Sequence, residues 1–178
     1  MYKIDVLLKQ GRKLFHTNDL ALLWQITNKN TLYTTIKRYV KKGILIPIHK
    51  GFYATVSVKK INQIELGISY LHQYAYLSTE SVLVNYGVIF QKSENITLVG
   101  NISKNFTIGD TKYIVRKMKD SYLFQTIGIT TDVNGVKTAT LNRAVADLLY
   151  FNRNYYFDNR KAVNWAQVKQ LQIEIGYL

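Results

Sequence analysis

The chain has 178 residues and a formal net charge of +13 at pH 7, with 24 Lys and Arg against 11 Asp and Glu. It contains no cysteine, which excludes disulfides, iron–sulfur clusters and thiol catalysis. Hydrophobic residues make up 47% of the chain, so it can bury a core and is not a disordered protein.

The first segment predicts a helix followed by a strand. Apolar residues at helical spacing predict a helix over residues 2–10, with Ile4, Leu7 and Leu8 facing inward. Residues 13–16 are then expected to be extended and to pair with a hairpin further along the chain.

The next forty residues have the pattern of a helix-turn-helix. Thr17 is expected to cap a short helix over residues 18–24, because its hydroxyl can accept an orphan amide of the first turn. Residues 28–30 read as a turn, and a second helix is predicted from about Lys29 to Lys42. Gly43 supplies its C-terminal stop.

This second helix is amphipathic, with a basic polar face. It contains five basic residues and no acidic one. Side chains at its start can hydrogen-bond base edges, and cations along its length can meet phosphates. The buried stripe is predicted to be Leu32, Ile36, Tyr39 and Val40. The predicted DNA-binding residues on the opposite face are Lys29, Asn30, Tyr33, Thr34, Lys37, Arg38 and Lys41.

A hairpin is predicted directly after Gly43. Its strands are residues 44–48 and 52–56, joined by His49, Lys50 and a Gly51 that can adopt positive φ. In a winged helix-turn-helix this hairpin is the wing, and Lys50 at its tip is the eighth predicted DNA-binding residue. A basic amphipathic helix alone is more often a solvated surface helix, but the order of all the parts favours DNA binding.

Charge is unevenly distributed along the chain. Residues 1–60 hold 12 Lys and Arg against 2 acidic residues, whereas the remaining 118 hold 12 against 9. The excess coincides with the predicted winged helix, so the expected partner is a polyanion. We therefore predict an α+β protein with a winged helix-turn-helix domain over residues 1–59 and a mixed α+β domain over residues 60–178.

The second domain is predicted to contain two helices, an antiparallel sheet and closing helices. The sheet follows from apolar alternation, and Asn134-Gly135 is a two-residue hairpin signal. Arg143 and Asp147 are four residues apart and are expected to form a surface ion pair. The predicted helices are residues 61–74, 78–87 with Ser78 as cap, 141–150 with Thr140 as cap, and 160–175; the predicted strands are residues 96–99, 105–108, 112–116, 128–133 and 136–140.

Several segments together resemble the AbiEi-type antitoxins of abortive-infection systems, which are type IV toxin–antitoxin systems, and related winged helix-turn-helix transcriptional regulators. The resemblance spans most of the chain. The segments that carry it are Thr31–Tyr33, Val40–Leu45, Lys50–Ala54, Tyr76–Leu83, Tyr86-Gly87 and Leu141–Asp147.

The resemblance implies a repressor that binds the operator of its own operon, followed by a domain linked to antitoxin activity. It also implies a nucleotidyltransferase-like toxin as functional partner, without a requirement for direct contact. A homodimer on DNA is expected by analogy with other helix-turn-helix proteins. The expected setting is cytoplasmic, with no cofactor and no metal.

Two other classes of function remain open. A metal-dependent nuclease with a helix-turn-helix targeting domain would need clustered carboxylates, and the sequence offers only Asp110-Thr111-Lys112 in a turn. We therefore do not expect an enzyme. A module that binds RNA or an acidic protein through the same basic face is the third possibility. No apolar run approaches the length of a membrane span.

Overall fold

The computed structural model describes residues 3–91 and 94–178, which divide into two compact units. The units are residues 1–70 and 71–178. Each combines helices with a sheet, which confirms the α+β prediction at that level. The boundary lies eleven residues beyond the sequence-based boundary at residue 60, because the helix that follows the hairpin belongs mainly to the first unit.

The first unit contains short helices around a three-stranded sheet. Its strands, in spatial order, are β1 (Leu14–His16), β3 (Phe52–Ala54) and β2 (Ile46–His49). Both pairings are antiparallel, so the predicted pairing of residues 13–16 with the hairpin is confirmed. A 3-10 turn, Val58–Lys60, precedes the last helix. The elements are α1 Lys3–Leu8, β1 Leu14–His16, α2 Thr17–Leu23, α3 Lys29–Lys41, β2 Ile46–His49, β3 Phe52–Ala54 and α4 Gln63–Leu71.

The core of the first unit is built from apolar residues of α1, α2 and α3, with contributions from β1 and from the segment after α3. The Trp24 indole Nε1 donates to the backbone carbonyl of Lys3, which joins the end of α2 to the start of α1. One predicted inward residue is wrong: Leu8 is 64% exposed at the end of α1, whereas Leu7 is buried and Ile4 is partly buried against the core. The buried cluster is Leu7, Phe15, Leu20, Trp24, Leu32, Ile36, Tyr39 and Leu45.

The cap of α2 is one residue earlier than predicted. His16 is the N-cap, and its backbone N–H donates to a carboxylate oxygen of Asp19 at 2.8 Å. Thr17 is instead the first helical residue. Its hydroxyl donates to the carbonyl of Gly51 at 3.3 Å, so it contacts the hairpin rather than capping its own helix.

The second unit contains a six-stranded sheet with helices. It includes a short helix, α6, and a strand, β4, that the sequence did not predict. The helices are α5 Glu80–Asn85, α6 Asp120–Leu123, α7 Leu141–Phe151 and α8 Trp165–Ile175. The strands are β4 Ala75–Leu77, β5 Asn95–Gly100, β6 Lys104–Ile108, β7 Thr111–Lys117, β8 Ile129–Thr131 and β9 Lys137–Ala139.

The sheet is mixed, which corrects the prediction of an antiparallel one. Its order is β6-β7-β5-β4-β9-β8, and the pairs β4–β9 and β5–β7 are parallel. Parallel pairing arises because β6 takes the edge position beyond β7, which places β7 directly beside β5. Alternation along the strands predicts their existence but not which neighbours they pair with.

Two element boundaries in the second unit also differ from prediction. Residues 75–77, which lay between two predicted helices, form the fully buried strand β4. Ser78 does not cap the next helix: α5 begins at Glu80 after Thr79, and the Ser78 side chain is buried. The connection from β8 to β9 spans residues 132–136, so it is longer than a two-residue hairpin turn, and Asp132 accepts backbone amides within it.

The C-terminal region is helical over a shorter range than predicted. Residues 160–162 form a 3-10 turn, and α8 starts only at Trp165, where the Asn164 side chain accepts the amide of Gln167. Phe157 is buried and lies against the Trp165 ring at a centroid distance of 5.6 Å.

Candidate functional site

The exposed face of α3 carries all seven helical residues of the predicted DNA-binding set. Asn28 caps the helix by accepting the Thr31 amide at 3.1 Å, and Gly43 follows its end with a φ of +69°. The predicted stripe is buried except for Val40, which is half-buried, and Thr35 adds to it by donating its hydroxyl to the Thr31 carbonyl. The exposed residues of the set are Lys29, Asn30, Tyr33, Thr34, Lys37, Arg38 and Lys41.

These residues form two adjacent rows with a spacing of four. The first row contains one aromatic side chain among three lysines. The second begins with two small polar side chains and ends with an arginine. Because residues four apart lie one above the other on a helix, both rows fit within about half of its circumference. The first row is Lys29, Tyr33, Lys37 and Lys41, and the second is Asn30, Thr34 and Arg38.

The cations of this face are not neutralised within the described residues. None of the ion pairs there involves Lys29, Lys37, Arg38, Lys41 or Lys50. A Coulombic interaction with an external polyanion therefore competes with water and counterions rather than with an internal carboxylate. We call the seven exposed residues of α3 the basic face.

The arginine of the basic face has a preferred position. Its guanidinium carbon lies 5.7 Å from the centroid of the Tyr39 ring. A cation–π contact at this distance restrains the Arg38 side chain on the helix surface. Tyr33, by contrast, is 56% exposed and presents an apolar ring among cations.

The hairpin tip carries Lys50, the eighth predicted residue. Lys50 is exposed and connects β2 to β3 together with Gly51, which has a φ of +76°. The Gly51 carbonyl accepts the backbone amide of Thr17 at 2.9 Å, which attaches the tip to the start of α2. The hairpin and α2 are therefore held together by backbone hydrogen bonds.

Two exposed residues adjacent to the predicted set were not included in it. Lys42 is the C-cap residue of α3, and His49 precedes Lys50 with its ring 5.1 Å from that of Tyr70. Both could have been included from the sequence, because Lys42 follows Lys41 and His49 precedes Lys50. Lys42 therefore adds one exposed cation beyond the end of α3, and His49 adds an exposed imidazole beside the hairpin tip.

A second polar cluster lies inside the second unit and corrects a prediction. Arg143 and Asp147 were expected on the surface, but both are fully buried. Their ion pair joins Nε to Oδ1 at 2.7 Å. The other oxygen of Asp147 accepts the hydroxyls of Tyr76 at 3.0 Å and Ser78 at 2.7 Å. The Tyr177 hydroxyl donates to Oδ1.

The guanidinium of this cluster is saturated with acceptors. One terminal nitrogen donates to the carbonyls of Gln125 and Ile127, both at 2.8 Å, and the other donates to the Tyr76 hydroxyl at 2.9 Å. A buried charge is tolerated only when it is paired and hydrogen-bonded in this way. With its donors used internally, the Arg143 cluster is an anchor between strand β4, the 125–127 loop and α7.

Burial and charge shift the pKa values of this cluster. Burial raises the pKa of Tyr76 and of Tyr177 well above the usual phenol range, and the negative charge of Asp147 raises both further. Burial alone would lower the pKa of Arg143, but the Asp147 carboxylate outweighs it and the net shift is upward. At neutral pH the cluster therefore consists of one ion pair, Arg143 with Asp147, hydrogen-bonded to the neutral phenols of Tyr76 and Tyr177.

The residues considered for a nuclease site do not form a cluster in the described part of the chain. Asp110 is exposed in the turn from β6 to β7, beside Gly109 with its φ of +57°. Over residues 3–91 and 94–178, no three His, Asp or Glu side chains come together as a metal site would require. Within the same residues every helix is too short or too polar to span a bilayer.

Comparison with known proteins shows a likeness of fold. No protein-family model and no curated protein matches the chain. Among solved structures it is similar to the crystal structure of the Rv2827c protein from Mycobacterium tuberculosis, with a TM-score of 0.52 and 12% identity. The match covers 97% of this chain and 64% of that one, so this chain spans less than two thirds of its length. At 12% identity the likeness concerns the fold alone.

We predict that Asp147→Asn destabilises the protein by about 3–5 kcal/mol, because the buried Arg143 charge loses its counter-ion. The double variant Arg143→Met with Asp147→Leu should lose less stability than the sum of the losses of its two single variants, because neither charge is left buried without its partner. Urea denaturation measures each free energy of unfolding. Asp110→Asn, an exposed carboxylate, is the control and should change it by less than about 0.5 kcal/mol. If Asp147→Asn were as stable as the parent, the Arg143–Asp147 cluster would not be an anchor of the second unit.

We also predict that the free energy of unfolding falls as the pH rises above about 10. In that range the unfolded chain loses phenol protons that the folded chain keeps, since the folded pKa values of Tyr76 and Tyr177 are raised. The stabilisation is fully present below pH 10 and lost above it. Replacing both tyrosines by Phe should make this dependence less steep. An unaltered slope in the double variant would be inconsistent with the assigned pKa shifts.

Proposed function

We propose that the first unit is a winged helix-turn-helix that binds duplex DNA through the basic face of α3, with the β2–β3 hairpin as its wing. The observation that carries the proposal is the row Lys29, Tyr33, Lys37 and Lys41 beside the row Asn30, Thr34 and Arg38, all exposed. A helix of this kind fits a major groove, whose width admits one α-helix.

The order of elements supports this proposal. Helix α2 is followed by a turn and α3, and the hairpin comes directly after Gly43. The hydrogen bonds from Thr17 to Gly51 attach the hairpin tip to α2, so a wing lysine would keep a constant position relative to the helices. In this arrangement α3 reads base edges, and Lys50 contacts the phosphate backbone.

The residue types along α3 favour base contacts by its first half and phosphate contacts by its second half. Asn30 and Thr34 lie in the first half of the helix, and both can pair with base edges. The Tyr33 ring can contact a thymine methyl group. Lys37, Arg38 and Lys41 occupy the second half, where they would neutralise phosphates on either side of the groove.

We further propose that the protein represses its own operon and serves as the antitoxin of a type IV toxin–antitoxin system. Support for this step comes from the resemblance of the segments around Tyr33, Lys50, Tyr76 and Arg143 to AbiEi-type antitoxins. Its functional partner would be a nucleotidyltransferase-like toxin. The second unit would carry the antitoxin activity, on a framework held by the Arg143 cluster.

The direct test is a binding assay with three probes. Fluorescence anisotropy would compare a duplex from the region upstream of the gene, an RNA of the same sequence and a scrambled DNA duplex. Preferential binding to the upstream duplex is expected. Equal affinity for the RNA would support a general polyanion-binding module instead, and cleavage of the duplex with Mg²⁺ would support a nuclease.

Lys37→Ala with Arg38→Ala should weaken binding to the upstream duplex by roughly 30-fold near 0.15 M salt and reduce the slope of log affinity against log salt by about two. Both changes follow from the loss of two phosphate contacts and their released counterions. The control is Lys161→Ala with Lys169→Ala, two exposed lysines of the second unit, which removes the same net charge. If the two double variants reduced the affinity and the salt slope equally, net charge alone would determine DNA binding.

Asn30→Ala and Thr34→Ala should change sequence preference more than overall affinity, because side chains that contact base edges carry specificity. Selection from a randomised duplex library, followed by sequencing, measures the preference of each variant against the parent. Lys50→Ala is the comparison and should weaken binding to all sequences alike. Unchanged preferences in both single variants would remove these two residues from the base-reading role.

A further inference from the structure

The second unit presents exposed aromatic rings where two of its loops meet. Tyr156 is 77% exposed and Phe90 is 70% exposed. The backbone amide of Phe90 donates to the Asp158 carboxylate at 2.8 Å, and that of Asn159 donates to the Val88 carbonyl at 3.1 Å. The loop after α5 is therefore attached to the loop after α7, and Phe90 lies beside the segment that carries Tyr156.

The two rings lie outside the core of the unit but rest on it. Tyr156 and Asp158 are exposed, whereas Phe157 between them is buried against the Trp165 ring. Tyr156 and Asp158 therefore face outward from the same stretch of loop, and Phe90 is the residue that Asp158 holds there. Exposed apolar surface that is supported in this way commonly marks an interaction site.

Cations flank the rings. The loop after α7 and the 3-10 turn that follows it carry Arg153, Arg160 and Lys161, all exposed, and Asp158 is their only acidic residue. The Arg160 guanidinium carbon lies 4.3 Å from the centroid of the Trp165 ring, so its position on the surface is restrained. In the part of the chain that the structure describes, none of the ion pairs includes these three cations. Their charge is therefore available to an anionic partner.

The composition of this surface favours a nucleic acid over a protein as the partner. Exposed rings beside cations are the combination with which proteins bind nucleic acid strands, because bases stack on the rings and phosphates meet the cations. Protein interfaces also contain Tyr, Phe and Arg, but their centres are depleted of charge. Over the described residues of these two loops, no large aliphatic side chain is exposed.

The rings favour a single strand over a duplex. In a duplex the bases are stacked on one another, so their faces are not accessible to a side chain. Unpaired bases can instead be splayed out and stacked on aromatic rings. This surface therefore differs in chemistry from the basic face of α3, whose polar side chains suit a groove.

We infer that the surface formed by Phe90, Arg153, Tyr156 and Arg160 binds single-stranded nucleic acid, with bases stacked on the two rings and phosphates at the two guanidinium groups. We call these four residues the ring surface. The inference goes beyond the proposed function and does not rest on it, since the first unit binds duplex DNA through a different set of residues. RNA and single-stranded DNA present the same bases and phosphates.

Fluorescence anisotropy of the full chain with labelled single strands of about 12 nucleotides tests the inference, a length within the range of known single-strand sites. The probes are oligo(dT), oligo(U) and a DNA duplex of equal length. The starting chain is Lys37→Ala with Arg38→Ala, in which the basic face is weakened. It should bind the single strands more tightly than the duplex, and the tighter of the two strands identifies DNA or RNA as the source.

Tyr156→Ala and Phe90→Ala should each weaken binding of the single strands at least about five-fold, because each removes one stacking platform. Tyr156→Phe keeps the ring and is the matched control, which should retain the affinity. Tyr156→Leu keeps an apolar group without an aromatic face and should bind as weakly as Tyr156→Ala. Both side chains are exposed, so these variants should keep the circular dichroism spectrum of the starting chain.

Arg153→Ala with Arg160→Ala should reduce the slope of log affinity against log salt by about 1.4, since each phosphate contact with a single strand contributes about 0.7. This variant leaves the rings in place and tests the ring surface independently of them. The control is Lys112→Ala with Lys117→Ala, two exposed lysines of β7, which removes the same charge and should leave the slope unchanged.

Two results would overturn the inference. One is a parent chain that binds neither single strand at about 0.15 M salt, which would leave the rings as a surface for a protein. The other is single-strand binding that Lys37→Ala with Arg38→Ala abolishes and that Phe90→Ala and Tyr156→Ala leave unchanged, because the basic face would then hold the strand.

Binding of the upstream duplex, measured in parallel, separates this inference from the proposed function. Single-strand binding that needs the ring surface, in a chain that does not bind the upstream duplex, would support the inference and refute the proposed function. Duplex binding that needs Lys37 and Arg38, in a chain that binds no single strand, would do the reverse.

Discussion

The division of α3 into a buried and an exposed half is the constraint on which this account depends. Leu32, Ile36 and Tyr39 are buried in the core of the first unit, which fixes the rotation of the helix about its axis. Once that rotation is fixed, the opposite half must face water whatever residues it carries. Cations in that half avoid a desolvation cost because they remain hydrated, so they are available for recognition.

The first unit is largely predictable because its signals are local. The stripe of α3, the stop at Gly43 and the turn at Gly51 all depend on residues close in sequence. The errors there are small. Thr17 looked like a cap on its own helix, but a carbonyl from the hairpin 34 residues away competes for its hydroxyl.

The second unit is less predictable because its decisive contacts are distant. Arg143 and Asp147 have the spacing of a surface ion pair. Their burial is stable because Tyr76 and Ser78, which are 67 or more residues away in the sequence, form hydrogen bonds with them. The same contacts explain why Ser78 does not cap a helix. The order of strands in the sheet is also hard to predict from sequence. The parallel pairing of β5 with β7 depends on β6 taking the edge position, which the alternation within each strand does not specify. The exposed cationic face of α3 was predictable from residue type and helical spacing, because both are local properties of the sequence.

Amide chemical-shift mapping of the full chain during titration with the upstream duplex tests the proposed DNA-binding face most directly. The largest changes are expected on the exposed residues of α3 and on Lys50 and Gly51, with little change on the buried side of the helix. Changes confined to residues 71–178, or an absence of changes at α3, would contradict it.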